Sequence, residues 1–103
     1  MENLSTSKWK ESFKKINSHQ IIDVRTPLEW ANGTIDGAIK IDFNQQHDFI
    51  KFIEKLEKSN NYYVYCKSGV RSWYACQMME QLGLSTYNLK NGITQWDEPL
   101  TKS

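Results

Sequence analysis

The chain has 103 residues, 39% of them hydrophobic, which suffices for one buried core and leaves no room for a second domain. Its 13 Lys plus Arg stand against 12 Asp plus Glu, so a net charge near +1 gives no global field to gather nucleic acid or an anionic membrane surface. No stretch approaches the ~18 consecutive apolar residues of a membrane span, and the polar start Met1–Thr6 carries no apolar signal segment; a cytoplasmic protein is expected.

Trp9, Phe13 and Ile16 recur at helical spacing and predict an amphipathic helix over residues 7–16, with Lys8, Lys10, Glu11, Lys14 and Lys15 on the solvated face. Ile21–Val24 reads as a short strand of the nearly all-apolar kind that parallel sheets bury on both sides. Asp23 is its exception. A buried carboxylate needs a partner, which Arg25 or the backbone of a neighbouring loop can supply, so a structural role is expected of Asp23 rather than a catalytic one. Thr26-Pro27-Leu28-Glu29 is a capping box with proline at the first helical position, predicting a short helix through Trp30 and Ala31 that Gly33 ends. After the turn Ile35-Asp36-Gly37, Ala38–Ile41 reads as a second strand. Phe49, Phe52, Ile53 and Leu56 trace the apolar stripe of a helix over 46–58, broken by Ser59-Asn60-Asn61.

Tyr62-Tyr63-Val64-Tyr65 is aromatic and β-branched, as a strand prefers, and Ser72–Leu82 reads as a helix closed by Gly83. Between them lie Cys66 and the short cationic turn Lys67, Ser68, Gly69, Val70, Arg71. Ligands in open α/β sheets bind beyond the carboxyl ends of strands, and a helix amino terminus offers unpaired amides and partial positive charge. Amides of residues 67–72 can therefore curl around an anion held over the sulfur. Turning an ordinary thiol into mostly thiolate at neutral pH takes roughly 2.7 kcal/mol. A helix terminus gives up to about 2 kcal/mol of that, and Lys67 and Arg71 can add the rest. The bland alternative is a small buried hydrophobe at a strand end, which the flanking cations and glycine suit badly.

Cys76 lies with Ala75, Met78, Met79 and Leu82 on the helix, so packing is its expected role, with a resolving thiol as the minor alternative. Two cysteines are too few for a disulfide scaffold, and His19 and His47 share no ligand spacing, so neither metal nor cofactor is expected. Thr86–Leu89 makes a further strand, and a final short helix follows Gly92, carrying Ile93 and Trp96 before Pro99. Strands alternating with helices at this spacing argue for an α/β/α sandwich over residues 1–103, with a mostly parallel central sheet of about four or five short strands.

Several of these segments together resemble the rhodanese-like sulfurtransferases in single-domain form. Asp23-Val24-Arg25, Glu29-Trp30 and Gly33-Thr34-Ile35-Asp36-Gly37-Ala38 are similar to the family's amino-terminal signature. Cys66 to Ser72 resembles its active-site loop, and Leu89, Asn91, Gly92 and Trp96 resemble its carboxyl-terminal pattern. The family usually has histidine at Thr34, proline at Asp36 and a second glycine at Asn91. The resemblance implies ping-pong sulfur transfer. Cys66 takes a sulfane sulfur from a donor such as thiosulfate, holds it as a persulfide, and passes it to cyanide, a small thiol or a protein thiol. In that reading the amides of 67–72 hold the persulfide, Lys67 and Arg71 bind the anionic donor, Ser68 or Ser72 offers a hydroxyl, Gly69 lets the turn close, and Val70 completes the loop. Asp23, Arg25 and Glu29 support it from below.

Two rivals share the loop. Cysteine phosphatases and arsenate reductases use a similar strand-to-helix turn, but theirs is one residue longer between cysteine and arginine, and Tyr65 stands where such phosphatases usually carry histidine. The shorter loop here should make a cradle better fitted to one sulfur atom than to a phosphate ester. A carrier or docking module with little turnover is the other rival, with Trp73 or Tyr74 as a docking surface; core packing is the preferred expectation for Tyr74, and Trp73 is left open.

Overall fold

The structure, a computed structural model, describes residues 1–102. Five parallel strands form its sheet in the order β1-β5-β4-β2-β3: β1 Glu2–Leu4, β2 His19–Asp23, β3 Ile39–Lys40, β4 Asn61–Tyr65 and β5 Ser85–Leu89. Helices α1 Thr6–Lys15, α2 Pro27–Trp30, α3 Gln46–Glu54 and α4 Val70–Gln81 connect them, and a 3₁₀ turn, Gly92–Gln95, follows β5. The expected α/β architecture is therefore present, with every strand pair parallel.

Period-two alternation in β4 sorts the two faces of the sheet. Tyr62, Val64 and Cys66 point to one side, where they pack with Phe49 and Ile53 of α3 and with Ala75, Cys76 and Met79 of α4. Tyr63 and Tyr65 point to the other, against Trp9 of α1, Ile21, Ile35 and Leu89. Trp9 is the anchor there: it is 1% exposed, meets Tyr63 and Trp96 edge to face, and its indole N–H donates to the Tyr87 carbonyl at 3.1 Å.

β4 is the central strand, and the order of the sheet reverses around it. From β2 the chain moves to one edge, and from β4 to the other, so the segments leaving the carboxyl ends of β2 and β4 part and open a crevice between them. Both the Asp23–Arg25 segment and the Cys66 loop sit at that point.

Several boundaries depart from expectation for identifiable reasons. α4 begins at Val70 rather than Ser72, because Gly69 takes the left-handed conformation (φ 96°) and caps the helix two residues early. α3 stops at Glu54 rather than near residue 58: its last turn tightens, with Leu56 N–H donating to the Ile53 carbonyl at 3.2 Å, and Tyr62 Oη donates to the Glu57 carbonyl at 2.7 Å in the loop beyond. The edge strand β1 has no counterpart in the sequence reading; it pairs with β5 at Glu2–Tyr87, Asn3–Asn88 and Leu4–Leu89. Near the other end of the chain, Thr101 bridges Thr34 through two backbone hydrogen bonds of 2.9 and 2.8 Å. Thr34 and Asp36, two of the turn positions where the sequence departs from the family pattern, thus lie where the carboxyl-terminal segment docks, and the Thr101 hydroxyl reaches Asp36 at 3.3 Å.

Candidate functional site

Cys66 directly follows β4 and precedes a loop that turns straight into α4. The Gly69 amide donates to Cys66 Sγ at 3.1 Å, and the Ser72 hydroxyl donates to the same sulfur at 3.3 Å. Val70, Arg71 and Ser72 occupy the first turn of α4, so their N–H groups have no intrahelical acceptor; the first helical bond is made by the Trp73 N–H to the Gly69 carbonyl at 3.2 Å. Cys66 itself is 1% exposed and packs with the α3 and α4 core. Its sulfur nevertheless meets two hydrogen-bond donors, one from its own loop and one from the first turn of α4, an arrangement that a merely apolar cysteine does not require.

Three contacts hold that loop in shape. The Ile93 N–H donates to the Cys66 carbonyl at 3.0 Å and the Thr94 N–H to the Lys67 carbonyl at 3.2 Å, so the turn after β5 braces it from behind. Asn88, buried in β5, donates from Nδ2 to the Gly69 carbonyl at 3.1 Å and to Asn3 Oδ1 of β1 at 2.9 Å. Gly69 and Gly92 sit where backbones nearly touch: a Cβ at Gly69 would run into the Lys90 carbonyl oxygen, and one at Gly92 into the Lys67 carbonyl. Asn88 carries no motif of its own; its one local signal is a lone amide in the strand with Thr86, Tyr87 and Leu89.

The remaining expected residues gather at the same end of the sheet. Asp23 is fully buried and accepts from Arg25 at 2.8–3.1 Å through both carboxylate oxygens, from the Arg25 amide at 2.9 Å, and from Tyr65 Oη at 2.6 Å. Tyr65 Oη in turn accepts from the Ile35 N–H at 2.9 Å, and Arg25 donates on to the Gly33 carbonyl at 2.7 Å. Burial, with the Asp23 carboxylate second, pushes the Tyr65 phenol well above its ordinary range, so it stays a neutral donor. This network ties the end of β2, the glycine turn and the last residue of β4 into one rigid base.

Arg71 and Glu29 are joined to each other. The guanidinium donates to both Glu29 oxygens at 2.7 and 2.8 Å, and Thr26 fixes the same carboxylate through its hydroxyl at 3.1 Å, with the capping box of α2 complete. Arg71 beside it, together with Thr26, holds the Glu29 carboxyl down at about 2 against the opposing effect of burial. The expected donor-binding cation is thus already matched by a carboxylate, while Lys67 and Ser68 are exposed. Val70 is 60% exposed, Trp73 38% and Tyr74 56%. The expectation that Tyr74 packs in the core is corrected: the buried face of α4 runs through Ser72, Ala75, Cys76 and Met79, and Tyr74 falls outside it, stacked edge to face on Trp73. Cys76 is fully buried, and burial pushes its thiol up to about 12, so it is an inert core residue.

The sequence matches the Rhodanese-like domain family over residues 5–99. The chain belongs to that family. It is 34% identical over 77 residues to a protein of Allochromatium vinosum named Sulfurtransferase, covering 74% of this chain and 69% of that one. It is also 31% identical over 97 residues to YtwF of Bacillus subtilis, covering 94% and 91%. Among solved structures, the rhodanese-like domain protein of Staphylococcus aureus superposes with a TM-score of 0.85 at 31% identity, covering 100% of this chain and 99% of that one. SSP1007 of Staphylococcus saprophyticus gives 0.83 at 33%, covering 98% and 99%. Together with the family match, the relatives named sulfurtransferases at 31% and 34% identity put the chain with the rhodanese-type sulfurtransferases. No helix among the described residues is long and apolar enough to cross a membrane.

Proposed function

We propose that residues 1–103 act as one sulfurtransferase unit that moves a sulfane sulfur through a persulfide on Cys66. The observation that carries this reading is the pair of donors on one sulfur, the Gly69 amide and the Ser72 hydroxyl, at the carboxyl end of the central strand. Both favour negative charge on Sγ, in the nucleophile before transfer and in the leaving thiolate after it.

With thiosulfate as donor, the Cys66 thiolate attacks the outer sulfur, a new S–S bond forms, the donor S–S bond breaks, and sulfite leaves with the bonding pair. Cyanide or a thiol then attacks the same outer sulfur, and the Cys66 thiolate departs. Backbone amides of 67–72 hold the transferred atom, Ser72 donates its hydroxyl, and Gly69 allows the tight turn. Asp23, Arg25 and Glu29 hold the frame without touching sulfur. The exposed Val70, Trp73 and Tyr74 beside the loop favour a protein thiol among the acceptors. The loop is one residue shorter than a phosphatase cradle, which supports monatomic cargo over a phosphate ester.

Purified protein given thiosulfate and cyanide is expected to release thiocyanate; Cys66→Ala abolishes this, and Cys76→Ala retains most of it. Equal activity in the two variants would overturn the assignment.

A further inference from the structure

We propose that Glu29 sets donor selectivity: by matching the charge of Arg71 it weakens the hold on a small inorganic dianion, so that sulfane sulfur carried on an organic thiol is the faster donor and thiosulfate the slower one. This rests on sulfur transfer by Cys66 as proposed above. The class of donor is a persulfide of the form R–S–SH.

Two independent features of the structure point this way. The first is charge. Arg71 is the loop cation fixed in the first turn of α4, and both of its donated hydrogen bonds go to Glu29, at 2.7 and 2.8 Å. The carboxylate is in turn held by the Thr26 amide at 3.3 Å and the Thr26 hydroxyl at 3.1 Å, so it cannot swing aside without opening the cap of α2. Held at about 2, it remains ionised throughout the range in which thiols react. A dianion approaching Arg71 therefore meets a fixed negative charge directly behind the guanidinium, and the two fields oppose.

The second feature is surface. A cleft of about 380 Å³ runs beside the loop, lined by Ser68, Gly69, Val70, Trp73, Tyr74 and Lys90 among others. Trp73 and Tyr74 meet edge to face with centroids 5.2 Å apart, which fixes an exposed aromatic ledge one turn from the sulfur-holding residues. Thiosulfate has no group that uses such a ledge. The organic part of a persulfide does.

The transfer balances without any further reactant. The Cys66 thiolate attacks the outer sulfur of R–S–SH, a new S–S bond forms at Cys66, the donor S–S bond breaks, and R–S⁻ leaves with the electron pair while the proton stays on the transferred sulfur.

The test follows persulfide formation on Cys66 by intact mass, in single turnover, with thiosulfate and with the persulfide of cysteine ethyl ester as the two donors. Glu29→Gln keeps a residue able to serve the capping box while removing the charge. It is expected to shift the ratio of the two loading rates toward thiosulfate by roughly five- to tenfold, and the double variant Glu29→Gln/Arg71→Gln, neutral again, to return that ratio to within about twofold of the parent. A general weakening of the fold changes both rates together and leaves the ratio alone. An unchanged ratio in Glu29→Gln, or one shifted toward the organic persulfide, overturns the inference while leaving sulfur transfer intact. Failure of both donors to load Cys66 in the parent protein removes both.

Discussion

Arg71 and Glu29, 42 positions apart in sequence, form a two-pronged ion pair that fastens the first turn of α4 to the short helix α2. The pair is about a quarter exposed on each side, so its strength comes from planar geometry and from Thr26 behind it rather than from deep burial. It couples the loop that follows β4 to the segment that follows β2, across the crevice where the strand order reverses.

That pair makes stability depend on acid. The Glu29 carboxyl titrates at about 2 in the fold against 4.5 for the ordinary group, a depressed value, so its contribution is fully present above about pH 4.5 and is lost as pH falls toward 2. Glu29→Gln is expected to lower the unfolding free energy at neutral pH by about 1 kcal/mol, given solvent screening. Urea titrations should show the gap between parent and variant narrowing steadily between about pH 4.5 and about pH 2. A constant gap would contradict the pairing.

Alkali should act through Cys76. Burial first, offset in part by Thr86, raises its thiol to about 12 from 9, so the neutral form is favoured in the fold; its contribution is complete below about pH 9 and is lost as pH rises through 12. Burial raises the phenols of Tyr62, Tyr63, Tyr65 and Tyr87 as well, which adds loss of the same sign. Cys76→Ala is expected to flatten, without abolishing, the decline of unfolding free energy above about pH 9. An equally steep decline in that variant would show that the thiol ionises freely in the fold.

Tyr65→Phe isolates the buried base of the site. It deletes one hydroxyl that donates to Asp23 at 2.6 Å and accepts from the Ile35 amide at 2.9 Å, leaving both partners buried and short of a bond. The expected cost is about 2–4 kcal/mol in chemical denaturation, since each stranded group costs about 1–3 kcal/mol. Asp23→Asn should cost about 3–5 kcal/mol, because Arg25 is then a buried cation without a counter-charge. A loss under 1 kcal/mol in both would mean that water or a rotated side chain replaces the missing partner.

Gly92 and Gly37 offer a matched comparison. Both have positive φ, 65° and 81°, but a Cβ at Gly92 collides with the Lys67 carbonyl whereas one at Gly37 meets nothing within 4 Å. Gly37→Ala is expected to cost about 1 kcal/mol, the left-handed strain alone, and to leave sulfur loading as it was. Gly92→Ala should cost more than about 2 kcal/mol and slow loading, because the carbonyl it displaces belongs to the Cys66 loop. Similar behaviour of the two would refute bracing of the loop by the turn after β5.

Much of the fold was legible because its signals are local. The period of Trp9, Phe13 and Ile16, the capping box at Thr26–Glu29 and the all-apolar run before Cys66 each announce an element without reference to the rest of the chain. What stayed hidden depends on distant partners. Glu2-Asn3-Leu4 has a single apolar residue and no strand signature of its own; it becomes a strand because β5 presents an open edge. Asn88 looks unremarkable until the Gly69 carbonyl is placed opposite it. Arg71 reads as a free cation beside a thiol, and only the meeting of α2 with the loop shows that Glu29 has claimed it. Tyr74 lies outside the core because the sheet beneath α4 selects the face through Ser72, Ala75, Cys76 and Met79, which the aromatic content of the helix does not reveal.

The central claim, that Cys66 carries the sulfur, is tested most directly by intact mass spectrometry of the protein after treatment with a sulfane-sulfur donor, alongside Cys66→Ala. The parent chain is expected to gain the mass of one sulfur atom and to lose it on adding cyanide or dithiothreitol, while Cys66→Ala gains nothing. A parent chain that gains no sulfur from either thiosulfate or an organic persulfide, or a Cys66→Ala variant that gains as much, would contradict it.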